Sequence, residues 1–286
     1  MPGRPLVVGV DGSAASHAAV RWAAATAARR HAPLHLVYAV GVQADAVPVL
    51  GSLLFETRGY REAGKAALDL ERRFVRQLGT AVGDINVETF LESSTPVTAL
   101  ASRSGDAQLL AVGNRGLDPL ERVLLGSVGI GLIRHADCPV AIIPAAVDIS
   151  PPSPHRPILV GVDGSPCSVR AVGLAFDEAS TRGVGLVAVA AWSHRSPSAL
   201  ATKERIQALL ARSLAGLAEK YPDVCVDSVV AEGRSAQRLL EASGAAQLIV
   251  LGSRGRGGIA GAALGSVSQA VLEGSRIPVL ITPCRQ

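Results

Sequence analysis

Short apolar runs recur along the chain, separated by longer stretches that are amphipathic or rich in alanine. In the first half the runs occupy 6–10, 34–40, 87–91, 109–112 and 140–143; in the second, 158–162, 186–192, 224–231, 248–251 and 279–282. They are apolar almost throughout instead of alternating, the pattern of strands covered on both faces in a parallel sheet. Stretches of helical length lie between them, among them 14–30, 61–78, 127–135, 166–181 and 203–220. Strand–helix alternation of this kind predicts an open doubly wound α/β fold with right-handed crossovers.

The pattern occurs twice. "PLVVGVDGSAASHAAVRWA" (5–23) aligns with "PILVGVDGSPCSVRAVGLA" (157–175) at an offset of 152, and "GDAQLLAVGNRG" (105–116) with "GAAQLIVLGSRG" (244–255) at an offset of 139. "CPVAIIP" (138–144) answers "IPVLITP" (277–283) at the second offset. The first half is thus longer by 13 residues, placed by this reading around 41–60. The expected organisation is domain 1 over 1–146, a proline-rich linker over 147–156, and domain 2 over 157–286.

Composition narrows the class. Apolar residues make up 48% and charged residues 18%, which describes a folded globular chain and excludes a disordered one. A net charge of +4 without a dense Lys/Arg block gives no basis for nucleic-acid binding. No apolar stretch is long enough to span a bilayer. The opening "MPGRPLVVGVDGS" runs straight into a strand with no signal-type core, so a cytoplasmic location is expected. Cys138, Cys167, Cys225 and Cys284 are scattered with no CxxC pair, which fits reduced thiols better than a disulfide framework or a zinc site.

The candidate chemistry lies in two loops per half. The first is "VGVDGS", with Asp11 or Asp163 at the strand end and Ser13 or Ser165 placed to cap the next helix. The second runs "GNRGLDPLERVLLGSVG" (113–129) and "GSRGRGGIAGAALGSVS" (252–268). Both have the frame GxxG, nine residues, GS. Gly113, Gly116, Gly252 and Gly255 allow a close backbone approach or a positive φ. Gly126 with Ser127, and Gly265 with Ser266, bring N–H groups and a hydroxyl to a helix N-terminus suited to phosphate. One such loop is often only a tight turn; two copies, each beside an aspartate able to bind a ribose hydroxyl, point to a nucleotide. Ser127 and Ser266 can equally serve as helix caps. The frame is neither a Walker A motif nor GxGxxG.

These residues resemble the universal stress protein family, in its tandem form with two domains per chain. The resemblance spans nearly the whole sequence. It implies two domains, each a five-stranded parallel sheet with helices on both faces, and members with this glycine signature bind ATP. It therefore implies ATP, with Mg²⁺, at one site per domain. In the first, Gly9 and Asp11 match the nucleoside loop, Ala39 the main-chain contact to adenine, and Gly113, Asn114, Arg115, Gly116, Gly126, Ser127 and Val128 the phosphate loop. In the second the matches are Gly161, Asp163, Ala191, then Gly252, Ser253, Arg254, Gly255, Arg256, Gly257, Gly258, Gly265, Ser266 and Val267. The resemblance further implies that "PVAIIP" and "PVLITP" are edge strands pairing the two halves as an internal pseudo-dimer, and that the chain forms a homodimer.

The first loop carries Asp118, Pro119 and Glu121 between its glycines, where the second is basic. Carboxylates there either repel a polyphosphate, hold Mg²⁺, or stay in solvent. Neither half supplies a nucleophile with a base: His17 and His35 correspond to Val169 and Val187. The expected function is a nucleotide-dependent regulatory or sensor module in stress response, with a slow ATPase or nucleotidyl-transfer enzyme as the alternative. Few aromatic residues and no reactive cysteine motif weigh against a redox or flavin module.

Overall fold

The computed structural model describes residues 3–41, 50–79, 83, 85–114, 126–145, 155–192, 199–256 and 263–284. The chain divides into two compact units, Met1–Ala146 and Val147–Gln286. In the first, the order is β1 (Leu6–Gly9), α1 (Ala14–Arg29), β2 (Leu34–Ala39), α2 (Leu50–Gln77), β3 (Val87–Glu92), α3 (Pro96–Ala101), β4 (Leu109–Gly113), α4 (Ser127–His135) and β5 (Val140–Ile143). The second runs β6 (Ile158–Gly161), α5 (Pro166–Arg182), β7 (Leu186–Trp192), α6 (Ala199–Leu214), α7 (Leu217–Lys220), β8 (Val226–Glu232), α8 (Ser235–Ser243), β9 (Leu248–Gly252), α9 (Ser266–Gly274) and β10 (Val279–Thr282).

Within the units the strands lie in the orders β3-β2-β1-β4-β5 and β8-β7-β6-β9-β10. All are parallel; Leu6 sits opposite both Leu34 and Leu109, and Ile158 opposite both Leu186 and Leu248. The chain leaves β1 toward one side of the sheet and later returns to its other side with β4. The carboxyl ends of β1 and β4, and of β6 and β9, therefore flank the point where strand order reverses, the place where open α/β sheets bind ligands. Helices cover both faces: α1 contacts α2, and α3 contacts α4, with α5–α6 and α8–α9 repeating the arrangement.

Local chemistry fixes the elements that matter. Gly12 (φ 82°) and Gly164 (φ 74°) take the left-handed conformation, which turns the chain sharply after β1 and β6. Ser13 and Ser165 then cap α1 and α5, each Oγ accepting the N–H three residues on (from Ser16 at 3.1 Å and Ser168 at 3.2 Å). The alanine-rich face of α1, with Ala19, Ala23 and Ala27 fully buried, lets the helix lie close to the sheet.

The structure departs from the sequence reading in four places. Helix α2 begins at Leu50, eleven residues before the expected start at 61. The stretch 203–220 is two helices, broken where Gly216 adopts φ 75°. Strands β3 and β8 are only partly covered, since each carries carboxylates (Glu88, Glu92; Asp227, Glu232) that stay near solvent. Finally, Cys167 and Cys284 form a disulfide, with Cα atoms 5.2 Å apart across 117 residues of sequence. It escaped the cysteine spacing because it joins the start of a helix to the end of the last strand.

Candidate functional site

Both glycine loops are closed at the neck by the same pair of backbone bonds. The Asn114 N–H donates to the Ile143 carbonyl (2.8 Å), and the Asn114 carbonyl accepts the Gly126 N–H (3.1 Å). In the second unit Ser253 donates to the Thr282 carbonyl (3.0 Å) and accepts from Gly265 (2.8 Å). The residue after the strand is thus tied to the residue before the helix, and α4 and α9 begin beside the ends of β4 and β9. Ser253 is 2% exposed, so its part is to close the loop and not to line the cleft.

Gly113 and Gly252 have a different reason from the expected one. Neither takes a positive φ. A Cβ on Gly113 would lie 2.6 Å from Ala15 Cβ and 2.7 Å from its carbonyl carbon; on Gly252 it would lie 2.6 Å from Cys167 Cβ and 2.8 Å from the carbonyl carbon. These glycines let the first turn of α1 or α5 rest directly on the strand end. Gly9 and Gly161 serve packing too, facing Leu100 and Val112 in one unit and Leu251 and Leu239 in the other.

Ser127 and Ser266 are not caps. The N-cap positions of α4 and α9 fall to Gly126 and Gly265, and neither helix has a side-chain cap. Ser127 and Ser266 are the first helical residues, with exposed side chains. The helix starts aimed at the cleft thus keep uncapped first-turn N–H groups, while α1 and α5 beside them are capped. Val128 and Val267 follow on the first turn, and Val267 is exposed.

In the second unit the converging elements enclose a cleft of about 450 Å³. Its walls include Gly161, Asp163, Ala191, Gly252, Arg254, Gly255, Arg256, Gly265, Ser266 and Val267, so most of the sequence-predicted positions come together. Asp163 organises the floor: Oδ1 accepts the Ser165 N–H (2.9 Å) and Oδ2 the Arg256 N–H (3.0 Å). Gly255 has no room for a Cβ, which would fall 2.5 Å from Asp163 Oδ2. The Arg254 guanidinium donates to the Cys284 carbonyl, and the Arg254 carbonyl accepts from the Ser165 hydroxyl (3.3 Å). Val189, Ile206, Leu239 and Ser235 also line the cleft and were not singled out from sequence. As ordinary core-type positions on a strand and helices, they carry no motif.

In the first unit Gly9, Gly113, Asn114 and Gly126 repeat the packing and neck bonds of their counterparts, Ala39 ends β2, and Ser127 and Val128 open α4. Asp11 accepts the Ser13 N–H at 2.8 Å, as Asp163 accepts that of Ser165. Asn114 Oδ1 is buried with no hydrogen-bond partner among the described residues. Tyr38, where the second unit has Ala190, has its pKa raised by burial first, then by the Asp11 charge and by Tyr60. Arg115, Gly116, Asp118, Pro119, Glu121, Gly257 and Gly258 lie outside the described residues. Among those described, no group of three or more His, Cys, Asp or Glu is placed to hold a metal ion. No described helix is long and apolar enough to cross a membrane.

Two doubly wound units, each with an aspartate loop and a neck-closed glycine loop at its switch point, define a tandem α/β protein with the same pair of loops in each half. The family model described as "Universal stress protein family" matches it twice, over residues 3–144 and 154–283. Universal stress protein Rv2005c of Mycobacterium tuberculosis is 42% identical over 284 residues, covering 96% of each chain. Universal stress protein Rv2623 of the same organism is 40% identical over 285 residues, covering 96% of this chain and 95% of its own. Among solved structures, a universal stress protein from Archaeoglobus fulgidus superposes with a TM-score of 0.73 at 20% identity, covering 98% of this chain and 96% of that one. The chain belongs to the universal stress protein family.

Proposed function

We propose that the protein is an ATP-binding regulatory module, with one nucleotide site per domain and Mg²⁺ carried on the phosphates. The observation that carries this reading is the second-unit cleft, where uncapped helix N–H groups, two arginines and a carboxylate meet an apolar wall. Its volume of about 450 Å³ is that of a small-molecule site. The uncapped start of α9 with the Ser266 hydroxyl suits phosphate oxygens, which accept from N–H groups at the positive end of a helix. Arg254 and Arg256 add charge-assisted donors. Asp163, whose oxygens each keep a lone pair beyond the N–H they already accept, suits a ribose hydroxyl. Val189, Ala191, Ile206 and Leu239 offer an apolar seat for a base.

The first unit repeats the neck of the frame, and its buried, unpartnered Asn114 Oδ1 supports a ligand with a hydrogen-bond donor there, because buried polar groups normally have partners. In this reading ATP changes loop state and assembly, in a cytoplasmic homodimer, and chemistry on the nucleotide is secondary. The test is calorimetric titration of ATP with nucleotide release counted per chain. Expected is up to two ATP per chain; a purified chain that neither retains nor binds a purine nucleotide overturns the proposal.

A further inference from the structure

The Cys167–Cys284 bond lies against the glycine loop of the second unit and has no counterpart in the first, where the aligned positions hold Ala15 and Ala145. Its two ends touch the site separately. Cys167 is the second residue of α5, and its Cβ and backbone are what Gly252 packs upon. Its carbonyl accepts from the Thr282 hydroxyl at 3.2 Å. Cys284 follows β10, and its carbonyl holds the Arg254 guanidinium. A covalent tie between these residues fixes the carbonyl on which Arg254 rests.

We propose that Cys167 and Cys284 form a reversible thiol–disulfide centre that sets the phosphate affinity of the second site by holding or releasing Arg254. The proposal rests on the ATP reading of that cleft. In the disulfide state one Arg254 N–H donates to the Cys284 carbonyl, which the bond holds in place, so the guanidinium meets a phosphate only with its remaining donors and from that fixed position. In the dithiol state residues 283–284 lose their covalent anchor and Arg254 is free to turn into the cleft. The loop stays closed at its neck in both states, because the Ser253–Thr282 and Gly265–Ser253 backbone bonds do not involve the sulfurs.

The chemistry is ordinary thiol–disulfide exchange. A low-molecular-weight thiolate attacks Cys284 Sγ, since Cys284 is partly exposed and Cys167 is buried. The protein S–S bond breaks and its electron pair leaves on Cys167 Sγ, in the first turn of α5, where the helix N-terminus favours a thiolate. Protonation gives the Cys167 thiol. A second thiol then attacks the reagent sulfur of the mixed disulfide and releases the Cys284 thiol. In sum, one protein disulfide and two thiols give one protein dithiol and one small disulfide; a small disulfide such as glutathione disulfide drives the reverse.

The test uses the full chain carrying Ser127→Glu, which blocks the first site so that the second is read alone, and Cys225→Ser, which removes the exposed thiol that glutathione disulfide would cap. Thiols counted under denaturant should number one after incubation with glutathione disulfide, the buried Cys138, and three after dithiothreitol. ATP should bind the reduced chain about three- to ten-fold more tightly, the range that exchange of one hydrogen bond carries. Adding Cys284→Ser should fix the reduced affinity under both conditions. Three thiols after oxidation, or equal affinity in chains counted at one and three, overturns the redox centre and leaves ATP binding standing. Absence of ATP binding in both states overturns the ATP reading and this proposal together.

Discussion

Oδ2 of Asp163 accepts the backbone N–H of Arg256 at 3.0 Å, across 93 residues of sequence. Through this bond the loop after β6 holds the loop after β9, and Oδ1 turns back to the Ser165 N–H. One carboxylate thus shapes both walls of the cleft. In Asp163→Asn the amide nitrogen must face one of these N–H groups, leaving a donor opposite a donor. Bonds of this charge-assisted kind carry about 1.5–3 kcal/mol. ATP affinity is expected to fall by about ten-fold or more at the second site, with a stability loss of about 1–3 kcal/mol by chemical denaturation. Asp163→Glu, whose longer side chain displaces the carboxylate, should not restore binding.

Substitution at the exposed first residues of α4 and α9 separates ligand binding from folding. Ser127→Glu and Ser266→Glu each place a carboxylate at a helix start, which stabilises a helix by about 0.3–1 kcal/mol. The same charge repels a polyphosphate. Calorimetry should then show one ATP per chain in either single variant and none in the double, while the melting temperature holds or rises. Retained ATP in the double variant would contradict the assignment of the helix starts. Substitution at Gly252 is a poorer probe, because any side chain there collides with Cys167.

Helix α2 contains a glycine that resists the usual improvement. Replacing a mid-helix glycine with alanine normally gains about 1 kcal/mol. A Cβ at Gly64, however, would lie 2.7 Å from Tyr38 Cδ1 and 2.8 Å from Leu91 Cδ1. Gly64→Ala is therefore expected to lose about 1–3 kcal/mol through overpacking. Tyr38→Ala, which copies Ala190 of the second unit, should relieve much of that loss in the double variant. Non-additivity of the two changes, measured by urea denaturation, is the signature.

Much of the fold was legible because buried parallel strands leave an unbroken apolar signal: the expected runs 6–10 and 248–251 match Leu6–Gly9 and Leu248–Gly252 within a residue. Strand β3 was legible as a strand, and Glu88 inside the expected run 87–91 was the signal that it is only partly covered. The early part of α2 was hidden by the glycines and the proline of 41–60, which read as a connection. At the site, Asp163 and the glycine frame were readable because their residue types matter. The neck closure was not: Asn114 and Ser253 perform it with backbone groups, so unlike side chains do the same work. The disulfide joins residues that only the fold brings together.

His35, where the second unit has Val187, gives the first unit a pH-dependent contribution to stability. Its pKa is lowered from the ordinary 6.5 by burial foremost, opposed by the Glu88 charge and assisted by Arg103. The folded state therefore holds fewer protons on this ring than the unfolded chain does at mildly acidic pH, and stability rises with pH through that window. The contribution is complete above about pH 6.5 and is lost as pH falls through the folded value. His35→Val, the residue at the aligned position 187, should flatten the stability profile below about pH 6.5. An unchanged slope would assign it to other groups.

Turnover is the remaining distinction between a sensor and an enzyme. Phosphoryl transfer needs a cradle, a metal and a residue that positions the attacking group. Among the described residues lining the second cleft the ionisable ones are Asp163, Arg254 and Arg256. In this reading the free lone pairs of Asp163 meet the ribose, away from the phosphates, and an arginine side chain has no acceptor, so none is placed to activate an attacking group. In the first unit His17 pairs through Nδ1 with Glu71 at 3.0 Å, and its aligned partner is Val169. A base present in only one unit does not account for a duplicated binding frame. ATP hydrolysis is accordingly expected far below the ~1–100 s⁻¹ typical of kinases. Steady-state phosphate release decides the matter, compared between the native chain, His17→Val and the Ser127→Glu/Ser266→Glu double variant. Release above about 1 s⁻¹ that vanishes in the double variant would make the protein an enzyme. Loss in His17→Val as well would locate its base in the first unit.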